Sequence, residues 1–171
     1  MLKHHKLRFL LFTGCTALAA SCSRIPEFPV EPIIEYKGIS QNTIEQSRGG
    51  GIALDTIEIR FSFTDGDGDL GSKDSVNIFL QDSRDGSIQL FKVNPIPKLG
   101  AGDGLRGEIK ILMTNSVVTG YFCCTFPNTF LTCLPSKQHP TDTLSYQIFI
   151  RDRAGNISNK IRTEKITILC N

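Results

Sequence analysis

Apolar and polar side chains alternate with a period of two through most of this chain. Ile57, Ile59, Phe61 and Phe63 alternate with Glu58, Arg60, Ser62 and Thr64, as in a strand with one face in a core and one toward water. Val76, Ile78 and Leu80 repeat the pattern against Asn77, Phe79 and Gln81. Leu144, Tyr146, Ile148 and Ile150 do so against Ser145, Gln147, Phe149 and Arg151. Less regular runs predict strands over 33–39, 88–93, 107–113 and 161–170. In the last, the parity shifts between Ile161 and Ile166, which calls for a bulge or a break. Beyond residue 22 no 3.6-residue period is sustained, so no helix is expected. Gly49-Gly50-Gly51, Asp85-Gly86, the glycine-rich 100–107 and Ala154-Gly155-Asn156 supply the turns. About seven short strands with this punctuation predict an all-β, antiparallel sandwich, a single domain over residues 33–171.

The first residues break the pattern. Lys3, Lys6 and Arg8 precede an apolar stretch from Phe9 to Ala20, which has the order of a secretory signal and is too short for a spanning helix. It ends Leu18-Ala19-Ala20-Ser21-Cys22. A cysteine directly after small residues resembles the processing site of bacterial lipoproteins. That resemblance implies a signal peptide over 1–21, acylation of Cys22, and anchoring to the outer membrane through lipid. Each buried CH2 contributes about 0.8 kcal/mol, so more than one acyl chain holds firmly. Cys15 is a rival with a much shorter apolar segment before it, and an ordinary secretory cleavage after Ser21 is a second alternative. Residues 22–32 follow as a lipidated N-terminus and linker. Pro26, Pro29 and Pro32 favour extended chain there, with a reach of up to ~30 Å.

Charge changes meaning once the signal is set aside. Three of the 19 Lys and Arg, and none of the 17 Asp and Glu, fall in residues 1–21, so 16 basic face 17 acidic side chains in the rest. No basic stripe remains for nucleic acid. Six cysteines are present. With Cys15 removed and Cys22 acylated, Cys123, Cys124, Cys133 and Cys170 remain for two disulfides in an oxidising compartment. Neighbouring Cys123 and Cys124 are poor partners for each other.

Asp142-Thr143-Leu144-Ser145-Tyr146-Gln147-Ile148 resembles the entry to the sixth strand of immunoglobulin-like domains. There a tyrosine hydroxyl closes a corner onto backbone, a role that falls on Tyr146. Ile148 stands where antibody-type domains carry a cysteine, so the resemblance is to immunoglobulin-like or fibronectin-like relatives without the central disulfide. Phe63-Thr64-Asp65-Gly66-Asp67-Gly68-Asp69-Leu70-Gly71 and Asp152-Arg153-Ala154-Gly155-Asn156 make the chain similar to small lipoproteins of Bacteroidota. That likeness implies a fold and a location, not an activity. Asp55-Thr56-Ile57, Asp74-Ser75-Val76 and Asp142-Thr143-Leu144 resemble an O-glycosylation pattern of secreted proteins from the same group.

In that fold the loops 65–74 and 152–159 share one pole, which gathers Asp65, Asp67, Asp69, Asp74 and Asp152. Crowded carboxylates repel, and a divalent cation relieves the repulsion. Ca2+ takes hard oxygens from flexible loops, so Asp65, Asp67, Asp69 and Asp152 are its candidate ligands. The match to an EF-hand is poor: Leu70 occupies its glycine position and Val76 its final glutamate. The competing reading is an Asp-Gly turn held by side-chain to backbone bonds, needing no cofactor. The same topology sends the cysteines to the other pole. There Cys170 meets the 114–142 connection, and Cys133 closes onto whichever of Cys123 and Cys124 remains. Zinc on Cys123, Cys124, Cys133 and His139 lacks the usual knuckle spacing.

No catalytic residue set emerges. His139 is the sole histidine beyond the signal, and no Gly-x-Ser-x-Gly elbow occurs. Gly102-Asp103-Gly104-Leu105-Arg106-Gly107 leads toward a strand, not a helix, so it is no dinucleotide loop. The acidic cluster, on glycine-rich turns, has no evident apolar wall to raise one pKa for glycoside cleavage. The expectation is a non-enzymatic accessory or interaction module of the cell envelope with a protein partner. A surface glycan-binding module is the alternative, disfavoured by the absence of Trp and the three Tyr; a hydrolase ranks third. Periplasmic face and cell surface are equally open.

Overall fold

The computed structural model of the protein describes residues 28–47, 55–97, 104–127 and 133–170. Cys22, the signal peptide and the first part of the linker lie outside the described residues. No helix occurs among the described residues, and none is long and apolar enough to cross a membrane. Ten strands form: β1 (Ile33–Ile39), β2 (Thr43–Glu45), β3 (Thr56–Asp65), β4 (Ile78–Asp82), β5 (Ile88–Phe91), β6 (Leu105–Thr114), β7 (Thr141–Leu144), β8 (Tyr146–Ile150), β9 (Ile161–Arg162) and β10 (Ile166–Leu169). They build three sheets, ordered β1-β3-β6, β2-β10-β7 and β5-β4-β8-β9. All pairings are antiparallel except β2 with β10.

The all-β expectation holds, but the described residues form ten strands, not about seven, and one pairing is parallel. Two of the predicted runs are divided, and β1 is set apart from β2, by side chains that take over backbone hydrogen bonds. Between β7 and β8, the Ser145 N–H donates to Ser83 Oγ at 2.9 Å, and the chain transfers from β10 to β4. Between β9 and β10, Thr163 donates its N–H to the Tyr146 carbonyl at 2.9 Å and accepts the Tyr146 N–H on Oγ1 at 2.9 Å. This is the break that the parity shift predicted. Between β1 and β2, Gln41 Nε2 donates to Asp55 Oδ1 and to the Thr56 carbonyl, and the chain crosses from β3 to β10. β2 has too short an alternation to be read from sequence; only Ile44 points inward.

β3 is the axis of the first sheet. It pairs with β6 over ten residues, from Thr56 opposite Thr114 to Asp65 opposite Leu105. Its inward residues Ile57, Ile59, Phe61 and Phe63 are buried, as the alternation predicts. They meet Ile78 and Leu80 of β4, Ile148 and Ile150 of β8, and Ile166 and Ile168 of β10 in one apolar core. Val76 departs from expectation: it lies before β4 and is exposed. The outward parity of β4 and β8 is not purely polar. Phe79 stacks on Phe149 at 4.9 Å, with Arg151 and Lys160 over the rings.

The end of the molecule reached by Thr56, Thr114, Asp82 and Thr141 is closed covalently and by charge. Cys124 pairs with Cys170, and Cys123 with Cys133. Tyr146 is fully buried and donates its hydroxyl to the Tyr121 carbonyl at 3.3 Å. Arg84 follows β4 and binds Asp82 at 2.8 Å, Asp142 at 2.7 Å and the Cys123 carbonyl at 2.8 Å. Asp142 Oδ2 also accepts the Thr125 N–H and hydroxyl at 2.8 and 2.9 Å. One guanidinium thus ties the β4–β5 hairpin, the cysteine connection and β7 together, and its planar donor fork suits that task. Nothing in the sequence spacing marks Asp82, Arg84 and Asp142 as partners.

Burial opposes the charge on Asp142, but the bonds from Thr125 and Arg84 outweigh it and hold the carboxyl below its usual value. A depressed folded-state pKa contributes stability above the unfolded value, and that contribution is lost as pH falls through the folded one. Asp142→Asn is therefore expected to lower stability at neutral pH by about 1.5–3 kcal/mol, since it takes from Arg84 one of its two carboxylate partners. It should also flatten the loss of stability below about pH 4. Urea unfolding of both proteins across pH 2–7 checks this; an unchanged acid limb contradicts it.

Candidate functional site

At the opposite end, β3 runs out into Asp65-Gly66-Asp67-Gly68-Asp69. Gly68 adopts φ 68°, a left-handed conformation that glycine reaches without strain. It lets the chain reverse so that alternate carboxylates face one point. Gly66 is required by closeness rather than by φ. Its N–H donates to the Pro29 carbonyl at 2.8 Å, and a Cβ there would overlap the Phe28 carbonyl oxygen. Part of the stretch read as extended linker is thus packed against this loop. The segment after β8 supplies the facing wall. Arg153 donates to the Gly71 carbonyl at 3.0 Å and ties the two loops together.

The two loops bring Asp65, Asp67, Asp69 and Asp152 together, with one oxygen of each within 4.8 Å of all the others. Asp74 does not join them: it is exposed, and its N–H donates to Ser72 Oγ at 3.2 Å. Asp65 and Asp152 are buried, Asp67 and Asp69 half-buried. Asp65 lies in β3 itself, not in the loop where the sequence placed it, and none of its surface is exposed. Leu70, Leu105 and Phe63 are buried around this strand end. The expectation that no apolar wall encloses the cluster is therefore corrected. Its cause is the Asp65–Leu105 pairing, which draws the first aspartate into the sheet.

Backbone bonds account for one oxygen of Asp65 and one of Asp69. Asp65 Oδ2 accepts the Leu70 N–H at 2.8 Å, and Asp69 Oδ2 accepts the Ala154 N–H at 2.9 Å. Asp152 is filled on both sides: Oδ1 accepts Gly155 and Asn156 N–H groups at 2.7 Å, and Oδ2 accepts Asn156 Nδ2 at 2.8 Å. Left over are Asp65 Oδ1, Asp67 Oδ1 and Asp69 Oδ1, buried and without a hydrogen-bond partner. The charge is unfavourable as it stands. Burial, with repulsion from Asp67 and Asp69, pushes the Asp65 carboxyl up to about 6 against the pull of the Leu70 N–H. Burial and the charges of Asp152 and Asp67 push Asp69 up as well. Chemically this is a hard, anionic, all-oxygen donor set of the kind that holds Ca2+ or Mg2+.

The remaining sequence candidates separate from this pole. His139 is exposed and stacks its ring on Phe126 at 5.6 Å. The zinc reading fails because its three cysteines are in disulfides and offer no thiolate. Gly104 leads directly into β6, so no helix N-terminus follows the glycine-rich segment. Thr56, Ser75 and Thr143 are all exposed.

A carboxyl whose folded pKa is raised binds its proton more tightly in the native state, so native stability falls as pH climbs through that range. In a metal chelator, the protein is expected to lose stability between about pH 4 and pH 6. Asp65→Asn keeps an acceptor for Leu70 and removes the charge. It should raise the melting temperature in chelator at pH 7.5 by ~3–6 °C and reduce that slope to the share that Asp69 carries. Calorimetric melts of the two proteins test this; an Asp65→Asn protein that melts lower in chelator contradicts it.

No protein-family model matches the chain, and neither the curated proteins nor the solved structures contain a match to it.

Proposed function

We propose that this protein is a non-catalytic accessory module of the cell envelope, held by one pole and displaying the other to a protein partner. Its fold is read as an immunoglobulin-like sandwich. When each divided run is joined, the order becomes β1-β3-β6 against β5-β4-β8/β7-β9/β10, with β2 running parallel to β10 along the far edge. The buried Tyr146 hydroxyl, bonded to backbone of the connection that precedes its strand, supports the same reading.

The observation that carries the functional reading is the polarity of the molecule. The N-terminal chain enters at the aspartate pole, where Pro29 is bonded to Gly66. β3, ten residues long, separates that point from the disulfide pole by about 30 Å. If Cys22 is lipidated, few residues lie between the membrane and the aspartate pole, and the stapled connection faces outward. That connection exposes apolar side chains: Val118 is 90% exposed, and Val117 and Leu134 are exposed as well. Loops fixed by disulfides lose little freedom on binding, which favours recognition. Outer-membrane anchoring through Cys22 belongs to this proposal, with either face of the membrane.

Glycan binding finds less support. Phe79 and Phe149 are the stacked aromatic pair on an outer sheet face, and their rings are engaged by each other and by Arg151 and Lys160. A hydrolase finds less still: His139 is exposed in the segment that joins the disulfide pole, at the other end of the molecule from the carboxylates.

The test is crosslinked capture from native membranes. Wild-type protein is expected to bring down one envelope protein in stoichiometric amount. Val118→Asp with Leu134→Ser should cut that capture at least ~10-fold, a loss of about 1.4 kcal/mol or more, while leaving the melting temperature within about 1 °C. Cys22→Ser should move the protein from the membrane to the soluble fraction. Equal capture by the double variant, or retention on polysaccharide instead, contradicts the proposal.

A further inference from the structure

We infer that Asp65, Asp67, Asp69 and Asp152 form a calcium site that clamps the β3–β4 loop to the β8–β9 loop. The inference stands on the unmatched oxygens rather than on acidity. Hydrogen bonds within and between the two loops account for Asp65 Oδ2, Asp69 Oδ2 and both oxygens of Asp152. They leave Asp65 Oδ1, Asp67 Oδ1 and Asp69 Oδ1 buried without partners, and Asp65 has no exposed surface at all. A buried charged oxygen without a partner is costly. These bonds use one oxygen of Asp65 and one of Asp69; they give no reason to bury the other unpartnered in a cluster of carboxylates.

Geometry selects the ion. Opposite oxygens in a Ca2+ shell stand about 4.6–5.2 Å apart, twice the metal–oxygen distance, whereas those around Mg2+ stand about 4.0–4.2 Å apart. One carboxylate oxygen of each of the four residues lies within 4.8 Å of the others, a spread that a calcium shell accommodates. The donors come from a glycine-spaced loop and a second loop, and Ca2+ tolerates such irregular sets while Mg2+ demands an octahedron. Four protein oxygens leave about two to four positions for carbonyls or water.

The backbone bonds then have a second role. The Leu70 and Ala154 N–H groups fix the Asp65 and Asp69 carboxylates through Oδ2 and leave Oδ1 of each free for an ion, as supporting hydrogen bonds do in metal sites. Asp152, fully bonded within its own turn, offers an oxygen that is already positioned. Gly66 lies between the first two ligands and holds Pro29, so the ion would also fix the point where the N-terminal segment joins the domain.

The experiment uses full-length protein in detergent, stripped with a chelator and titrated with CaCl2 and, separately, MgCl2. Calorimetry is expected to show one calcium site, with a Kd of about 10⁻⁴ M or tighter. Saturating calcium should raise the melting temperature by ~5 °C or more, and magnesium at equal concentration by much less. Asp67→Asn alters an oxygen that supports no backbone bond. It should weaken calcium binding at least ~10-fold while its melting temperature in chelator stays equal to or above wild type. Absence of calcium heat and of a thermal shift overturns the inference. So does a calcium response identical in Asp67→Asn, which would mark surface binding elsewhere. Equal responses to magnesium overturn the assignment to calcium.

Discussion

A carboxylate sealed at the end of the longest strand pairing is the constraint on which this molecule turns. Asp65 takes the last rung of the β3–β6 ladder, opposite Leu105, and has no exposed surface. The sheet cannot release it without breaking that rung. The loop that follows must therefore reckon with a fixed charge, and it adds two more to the group. Gly66 and Gly68 give the chain the closeness and the left-handed turn that bring Asp67 and Asp69 back toward Asp65. The second loop closes the group with Asp152 and fastens itself through Arg153. Local order at this pole follows from where one charge was buried.

The two poles solve the problem of closing a β-domain in different ways. One gathers like charges whose unpaired oxygens call for a cation. The other pairs its charges internally, with Arg84 between Asp82 and Asp142, and adds two disulfides. Side-chain bonds from Ser83, Thr163 and Gln41 let the chain change partners at three points without orphaning backbone. The result is a frame whose strands meet in one core while its ends remain chemically distinct. That asymmetry suits a module attached at one end and read at the other.

Much of the frame was legible because burial and period two coincide in β3, β4 and β8. The convergence of Asp65, Asp67, Asp69 and Asp152 was legible too, since it needs only the order of the strands. Asp65 itself was misjudged: an aspartate beside glycine looks like turn, and only the cross-strand register shows that it ends inside the sheet. Asp74 was grouped with the others by sequence proximity, yet the chain carries it outward to the surface. Arg84 was invisible because its partners sit 2 and 58 residues away, with no motif linking them. Strand division was invisible in the same way: Ser145 and Thr163 look like ordinary polar positions until Ser83 and Tyr146 are placed beside them. For the cysteines, topology narrowed the partners, and the structure assigns Cys124 rather than Cys123 to Cys170.

Anomalous X-ray scattering from crystals grown in calcium addresses the aspartate pole most directly. One peak is expected among the four carboxylates, about 2.3–2.6 Å from an oxygen of each of Asp65, Asp67, Asp69 and Asp152. A map without that peak, with the Asp65 carboxyl turned to water or paired through a proton with Asp67, would contradict the account of this pole.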